Sequence, residues 1–445
     1  MNIRVYKFGG ASVNGATGFR NVLAILKRSP AGNFLVVISA MGKTTNALEE
    51  LLKYYMEHDA VSMVEIYHQV HAVHFSVVHE LFREKDHPVY NDLESLFDQL
   101  RGHIRRRHLG KEGTGPYDFE YDQIVSFGEL FSSLILHHFL EYSGLPGRLF
   151  DARELIRTDS TFRDARIHWA ETRSCIRSRL GRYFRTGKQG KRIAVTQGFI
   201  GEDPAGNRTT LGREGSDYSA AIFAHSLDCK EMTIWKDVPG IMNADPKWFR
   251  DPRKLDTLSY LEAIELAYYG ASVIHPKTIK PLENADIRLY VKCFTDPGAR
   301  GTVVRKLRNW KVTFQIYIRK TGQVLLSLSP RDFSFILEEN LSRIFDILAR
   351  FHARVSVVQN SAVSFSVCID ADPQALEGLL KEFGNDYIVR YNENLELYTI
   401  RHYDQRAIDR VARNRKVLLE QKTRSTVHLV VKETVRQGLR PGSRI

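Results

Sequence analysis

The amino-acid sequence predicts an α/β protein with a mainly parallel central sheet, followed by smaller α+β modules. Three observations carry this prediction. Up to about residue 305, short apolar runs alternate with stretches of helical periodicity, as in a parallel sheet covered by helices. Beyond Asn309 the order becomes strand–helix–strand–strand–helix–strand, a ferredoxin-like unit. The length, 445 residues, suits about three domains.

In the first part, Ile3 to Phe8 alternates like a strand and ends at Gly9-Gly10, and Phe34 to Ile38 is a continuous apolar strand. Helical spacing runs from Asn46 to about His58, from Ala60 to Arg107, and through a buried stretch from Gly128 to Tyr142. Arg192 to Ile200 is strand-like, and a polar turn, Glu202 to Arg208, leads to a helix from Ser216 to Leu227. Met232 to Trp235 is a strand, Tyr260 to Tyr269 and Pro276 to Glu283 are helices, and Ile287 to Phe294 is a strand. In the second part the strands are Val324–Ser329, Val355–Val358, Val363–Ile369 and Tyr387–Tyr391, with helices from Ile336 to Arg350 and from Pro373 to Phe383. A reduced echo follows: strand Leu395–Ile400, helix Gln405–Asn414, and strands Val417–Glu420 and Thr426–Lys432, an internal repeat of one small module.

Composition narrows the possibilities. Hydrophobic residues make up 43% and charged residues 26%, a soluble globular mix that excludes collagen-like and coiled-coil classes. No apolar run approaches the roughly 18 residues that span a bilayer, and MNIRVYKFGG lacks the apolar centre of a signal peptide. Cys175, Cys229, Cys293 and Cys368 form no CxxC pair, which fits free thiols in a reducing compartment. The expected location is the cytoplasm, with no membrane partner. The formal charge is +12, and from Lys306 onward 23 basic residues face 15 acidic ones. The basic runs Arg105–Arg107 and Arg406–Lys416 lack interleaved aromatics, so they read as solvated faces and no nucleic-acid partner is expected. His68, His71, His74, His79 and His87 have no ordered set of carboxylate partners and read as helix-surface residues, with no metal site expected.

Three clusters could carry chemistry. In Lys7-Phe8-Gly9-Gly10-Ala11-Ser12, a lysine closing a strand and two glycines before a helical stretch can aim an ammonium and backbone amides at an anion, though Gly-Gly after a strand is also an ordinary turn. Thr209 to Asp217 (TTLGREGSD) places an arginine, a hydroxyl and a carboxylate at a helix start. Capping accounts for Ser216 and Asp217 but leaves Arg213 unexplained. Trp235 to Met242 (WKDVPGIM), followed by Asn243 to Lys247, is a strand ending in a Pro-Gly loop that can hold a base and ribose, or a plain turn. No GxxxxGK[ST] and no strand-borne GxGxxG is present, so neither a Walker nor a Rossmann site is supported.

Taken together these clusters resemble the aspartate kinases of the amino-acid kinase family. KFGGAS is close to that family's KFGGTS, SAMGKTTN (Ser39 to Asn46) matches its second loop, and SFGE (Ser126 to Glu129) its third. TTLGREGSDYSAA, WKDVPGIMNADPK and YGASVIHPKT follow in the family's order. The resemblance implies an amino-acid-kinase-like three-layer sandwich over 1–305, a first ACT-like regulatory module over 312–392, a second, reduced one over 393–436, and a frayed tail over 437–445. It implies phosphorylation of the L-aspartate side-chain carboxylate by ATP with Mg²⁺, opening lysine, threonine and methionine synthesis. Such a carboxylate is already ionised at neutral pH, so no general base is needed; the task is to neutralise charge on the transferring phosphoryl group.

By the same resemblance Lys7 contacts that phosphoryl, Gly9 and Gly10 lie beneath the phosphates with Ser12 beside them, and Asp217 orients Lys7. Arg213 holds the substrate α-carboxylate and Glu129 its ammonium, with Ser39, Thr45 and Ser216 lining the pocket. Lys236, Asp237, Met242, Lys247, Ser272 and Lys277 belong to the nucleotide site, and Mg²⁺ is held mainly by ATP oxygens. Effector contacts fall at Ser356, Gln359 and Asn360, and a homodimer through the ACT-like modules is expected. Three departures stand out. Glu214 replaces a glycine of GRGGSD, Ser272 replaces the lysine of G-A-K-V-x-H-P so that Lys277 becomes the candidate substitute, and Val355-Ser356-Val357-Val358 replaces V-D-x-I, leaving lysine or threonine open as effector. A kinase of another acidic amino acid and a catalytically weak amino-acid sensor remain alternative readings.

Overall fold

The computed structural model describes residues 3–108, 115–186, 191–270, 274–307, 314–332 and 334–433, with backbone alone at 106–108. Ser272 and the tail 437–445 therefore lie outside the described residues. The chain divides into two compact units: of the described residues, 3–241, 254–264 and 274–307 form one, and 242–253, 265–270 and 314–433 the other.

The first unit is built on an eight-stranded sheet. Its strands are β1 (Ile3–Phe8), β2 (Asn33–Ile38), β3 (Gly147–Phe150), β4 (Arg192–Gln197), β7 (Glu231–Lys236), β8 (Thr257–Ser259), β9 (Arg288–Cys293) and β10 (Thr302–Arg305), while β5 (Ile200–Glu202) and β6 (Arg208–Thr210) form a separate hairpin. The order is β3-β4-β2-β1-β7-β9-β10-β8, with neighbours parallel except for the antiparallel pair β9–β10. Phe34 to Ile38 are fully buried, as a central parallel strand covered on both faces requires. The helix Gly15–Arg28 buries Ala16, Phe19, Val22, Ile25 and Leu26, the three-to-four spacing of one apolar stripe. The helix Gly215–Ser226 buries ten of its twelve residues, and its small Ser and Ala side chains allow close approach to the sheet. Strands β4, β2, β1 and β7 are adjacent and parallel, so the loops after Gln197, Ile38, Phe8 and Lys236 all leave one edge. In open α/β sheets that carboxyl edge is where ligands bind.

Two expectations change here. The stretch from Ala60 to Arg107 is two helices, Ala60–Leu81 and Val89–His108: Phe82 turns extended at φ −114° and ψ 130°, and Pro88 stands just before the second helix, its carbonyl accepting from the Asp92 amide, where a missing amide costs nothing. His74 is not a surface residue. It is fully buried, bonded through Nδ1 to the Val70 carbonyl at 2.7 Å and packed on Phe131, and burial lowers its pKa to about 4.

The second unit is one antiparallel six-stranded sheet of β11 (Ile316–Pro330), β12 (Val355–Asn360), β13 (Phe365–Asp370), β14 (Tyr387–Arg401), β15 (Arg415–Lys422) and β16 (Thr426–Glu433), in the order β12-β13-β11-β14-β16-β15. The sequence reads Tyr387–Tyr391 and Leu395–Ile400 as two strands and starts β11 at Val324. Instead β11 and β14 are long and pair along their length, with register shifts around Gln323. The ladder is irregular where Gly322 and Asn394 take positive φ of 63° and 56°. Ile316 to Lys320 thereby supplies the strand that the repeat lacks. Helices Glu338–Arg350 and Pro373–Phe383 cover the half of the sheet centred on Leu326 and Phe365. Over the other half, Ala244 and Phe249 join the helix Gln405–Ala412 on Tyr317, Tyr398 and Leu429, so the segment 242–253 packs where a second helix would lie. Trp248 stacks 3.8 Å from the guanidinium of Arg319, which pairs with Glu396. The sheet's other face encloses Leu325, Val357, Leu397 and Leu419.

Candidate active site

At the carboxyl edge of the first unit, β1 ends in Lys7-Phe8 and the chain turns through Gly9 into a short 3₁₀ turn, Gly10–Val13. The glycines are needed for close approach. A Cβ at Gly10 would sit 2.9 Å from the Gly42 carbonyl oxygen and 3.0 Å from that of Ala40, and one at Gly9 would sit 3.2 Å from Lys7 Nζ. The Gly42 amide donates to the Gly10 carbonyl at 3.1 Å, locking the loop after β2 onto the loop after β1. Ser12 is buried and its hydroxyl donates to the Trp235 carbonyl at 3.0 Å, so it braces the cradle against β7.

Lys7 is 7% and Asp217 2% exposed, and Lys7 Nζ lies 2.6 Å from Asp217 Oδ1. Lys236 Nζ lies 3.7 Å from the other oxygen, Oδ2. Burial alone would raise the Asp217 carboxyl, but the two ammonium groups outweigh it and hold the pKa below its ordinary value. Asp217 stands in the first turn of the helix Gly215–Ser226, whose N-terminal amides favour negative charge. Gly198 makes room for this turn, since a Cβ there would meet Ser216 Cβ at 2.6 Å.

Across the same edge Glu129, 3% exposed, accepts from the Ala40 amide at 3.1 Å through Oε1, while Oε2 is buried and, among the described residues, has no hydrogen-bond partner. Burial pushes its pKa up to about 8. Half-buried Ser39 anchors the loop after β2, its amide donating to the Phe8 carbonyl and its carbonyl accepting from Ser132. Half-buried Thr45 stands in the first turn of the helix Thr44–Met56. Arg213 is exposed and makes no ion pair among the described residues.

Glu214 caps the helix at φ 54°, a left-handed conformation that costs a residue with a Cβ roughly 1–2 kcal/mol. Glu214→Gly is therefore expected to raise the Tm by about 1–3 °C once the extra unfolded-state freedom of glycine is subtracted. A lower Tm in calorimetry would show that the side chain stabilises the loop.

Lys7, Gly9, Gly10, Ser39, Glu129, Asp217 and Lys236 are thus brought together. Lys277 pairs through Nζ with Asp164, and both side chains are exposed. Asp237 is exposed, and Met242 and Lys247 lie on the segment that packs in the second unit. At the expected effector position the Ser356 hydroxyl accepts from Lys320 Nζ at 3.2 Å, and Gln359 and Asn360 are exposed at the end of β12. Sequence reasoning missed Ala40, whose contribution is a backbone amide, and Lys320, which approaches Ser356 only because β11 is long.

Ammonium groups, glycine-lined backbone and a helix N-terminus stand together at the carboxyl edge of a parallel sheet, and the Amino acid kinase family matches residues 2–293. The chain is 30% identical over 407 residues to lysine-sensitive aspartokinase 3 of Escherichia coli, covering 89% of this chain and 86% of that one. It is 31% identical over 375 residues to the chloroplastic aspartokinase 1 of Arabidopsis thaliana, covering 82% of this chain and 63% of that one. Among solved structures, E. coli aspartokinase III in complex with aspartate and ADP (R-state) matches with a TM-score of 0.80 at 27% identity, over 97% of this chain and 96% of that one. The same enzyme with lysine and aspartate (T-state) matches with a TM-score of 0.79 at 27% identity, over 96% of each chain. The chain belongs to the amino-acid kinase family and, within it, to the aspartokinases.

Proposed function

We propose that this chain transfers the γ-phosphoryl group of MgATP to the side-chain carboxylate of L-aspartate, forming 4-phospho-L-aspartate and ADP at the start of lysine, threonine and methionine synthesis. The observation that carries this reading is the Lys7–Asp217–Lys236 group facing the glycine cradle, with the unpartnered oxygen of Glu129 on the same edge. A carboxylate oxygen attacks the γ-phosphorus, the bond from phosphorus to the β,γ-bridging oxygen breaks with its electron pair going to ADP, and no proton need move. Lys7 contacts the transferring phosphoryl and Asp217 orients Lys7. Arg213 clamps the α-carboxylate and Glu129 takes the ammonium, with Ser39, Thr45 and Ser216 around them. The nucleotide follows Gly9, Gly10 and the stretch from Lys236 onward. Among the described residues no cluster of three His, Cys, Asp or Glu could hold a metal, and Asp217 is committed to lysines, so magnesium fits as a passenger on ATP oxygens. The ADP and aspartate named for the E. coli relative support the substrate assignment.

Glu129 yields a test. With its pKa raised to about 8 it holds a proton at pH 7 in the ligand-free site, and a substrate ammonium would drive that proton off. Aspartate binding is expected to release close to one proton at pH 7, read by calorimetry in buffers of different ionisation enthalpy. No buffer dependence would remove Glu129 from the ammonium contact. The sign for folding is the reverse: the unfolded carboxyl ionises near its ordinary value while the folded one keeps its proton. This group therefore makes stability fall as pH rises from the ordinary carboxyl range to about 8.

An ATP-dependent hydroxamate assay tests the reaction itself. Signal with L-aspartate, and little with L-glutamate or N-acetylglutamate, is the expected result. No signal from folded protein with Mg²⁺ would favour the amino-acid sensor reading, against which Lys7, Arg213 and Asp217 now stand. The second unit is proposed to bind an amino-acid effector near Ser356, Gln359 and Asn360; lysine is the first candidate, given the lysine complex of the E. coli relative. Exposed Phe335, Leu337, Phe345 and Val363 in that unit support a homodimer, and sedimentation as a monomer at micromolar concentration would overturn it. Among the described residues no helix is long and apolar enough to cross a membrane, which is compatible with the proposed cytoplasmic location.

A further inference from the structure

Lys236 reads from sequence as a nucleotide contact at the end of a strand, but its placement points elsewhere. In the parallel ladder Phe8 pairs with Trp235, and their rings stack with centroids 5.9 Å apart and planes within 4°. Side chains alternate along strands, so Lys7 and Lys236 project to the opposite face, diagonal to one another. The carboxylate of Asp217 lies on that face, with one oxygen toward each ammonium, at 2.6 Å and 3.7 Å.

One carboxylate balances one ammonium. The three groups together carry a net positive charge in a largely buried place, beside the backbone that Gly9 and Gly10 leave bare. Glu129, the other buried acid on this edge, does not cancel it, because burial keeps that carboxyl protonated near neutral pH. The Lys236 side chain is 21% exposed against 9% for Lys7, so it is the more open of the two to an incoming ligand. The other lysine the sequence offers for this charge, Lys277, is held by Asp164 in a pair whose side chains are 40% and 61% exposed.

We propose that Lys236 is a second catalytic residue, whose ammonium contacts the transferring γ-phosphoryl group rather than the base or ribose. Asp217 then positions two cations at once. As the bond from the γ-phosphorus to the β,γ-bridging oxygen breaks and the bond to the aspartate carboxylate forms, charge shifts onto the oxygens between donor and acceptor. Two ammonium groups held on a buried carboxylate stabilise that charge without reorganising. This inference rests on the aspartate kinase reading above and deepens it.

The test compares Lys236→Met and Lys236→Arg in the full-length protein, with Lys236→Gln as the substitute if the methionine variant does not fold. At saturating MgATP and aspartate, Lys236→Met is expected to lower kcat at least 100-fold with the aspartate KM within threefold of wild type. Lys236→Arg is expected to recover at least tenfold of that loss. Calorimetric affinity for the non-hydrolysable analogue AMP-PNP should fall about tenfold, while ADP, which lacks the γ-phosphoryl, binds within threefold. A kcat within threefold of wild type would overturn the proposal. So would equal losses of ADP and AMP-PNP affinity, which would place Lys236 on the base, ribose or inner phosphates. A fall in Tm with unchanged kcat would make it a structural counter-ion of Asp217 only. Failure of the parent reading looks different: wild-type protein would give no hydroxamate with aspartate, while the comparison of ADP with AMP-PNP would still report on the γ-phosphoryl contact.

Discussion

Lys7→Ala is expected to abolish measurable turnover, with kcat lowered by 10³ or more, about 4 kcal/mol of transition-state stabilisation. Removing one neutral oxyanion donor from an enzyme typically costs about 10² to 10³, and Lys7 brings a full charge in a site where it is 7% exposed. Loss of the ammonium also leaves Asp217 with the more distant Lys236, 3.7 Å away. Breaking a buried pair from one side costs roughly 3–5 kcal/mol. The second cation keeps the effect below that range, so the variant should fold with a lowered Tm. The measurement is the hydroxamate rate beside a melting curve. Near-normal turnover in folded protein would remove Lys7 from the phosphoryl group; a folded, inactive variant with intact aspartate binding is the predicted result.

Arg213→Ala is expected to raise the aspartate KM about 10- to 100-fold while changing the ATP KM less than about threefold. Hydrogen bonds to a charged group contribute roughly 1.5–3 kcal/mol, and each 1.4 kcal/mol is a factor of ten. Arg213 is exposed and makes no ion pair among the described residues, so its removal should cost little stability, and the loss should appear in substrate affinity. Arg213→Lys should recover only part of it, because an ammonium cannot reproduce the two-pronged contact of a guanidinium with a carboxylate. An unchanged aspartate KM in the alanine variant would take Arg213 out of the substrate pocket.

Much of the catalytic unit is legible along the chain because its signals are local. Ile3 to Phe8 and Phe34 to Ile38 are strands by their apolar pattern, and Gly9-Gly10 follows the first because backbone must meet backbone there, as the 2.9 Å clearance at Gly10 shows. The ordered motifs around Glu129, Arg213 and Asp217 pointed to the residues that now converge, Arg213 excepted from any visible pairing. His74 shows the limit of such reading: its helical neighbourhood resembles that of His71 and His79, and full burial against Phe131 marks it as a core imidazole, a contact made across the fold.

The amino-acid sequence was thus sufficient for the parallel α/β unit, the glycine turn after its first strand and the family, because strand periodicity, turn chemistry and short motifs are written within a few residues. The tertiary structure alone decided which carboxylate Lys236 meets, that Lys277 pairs with Asp164, that Ile316 to Lys320 completes the last module, and that 242–253 packs on its sheet. Each of these joins residues from 19 to more than a hundred positions apart. Their pairing follows from which strand lies beside which and how much apolar surface must be covered, and no local pattern encodes that.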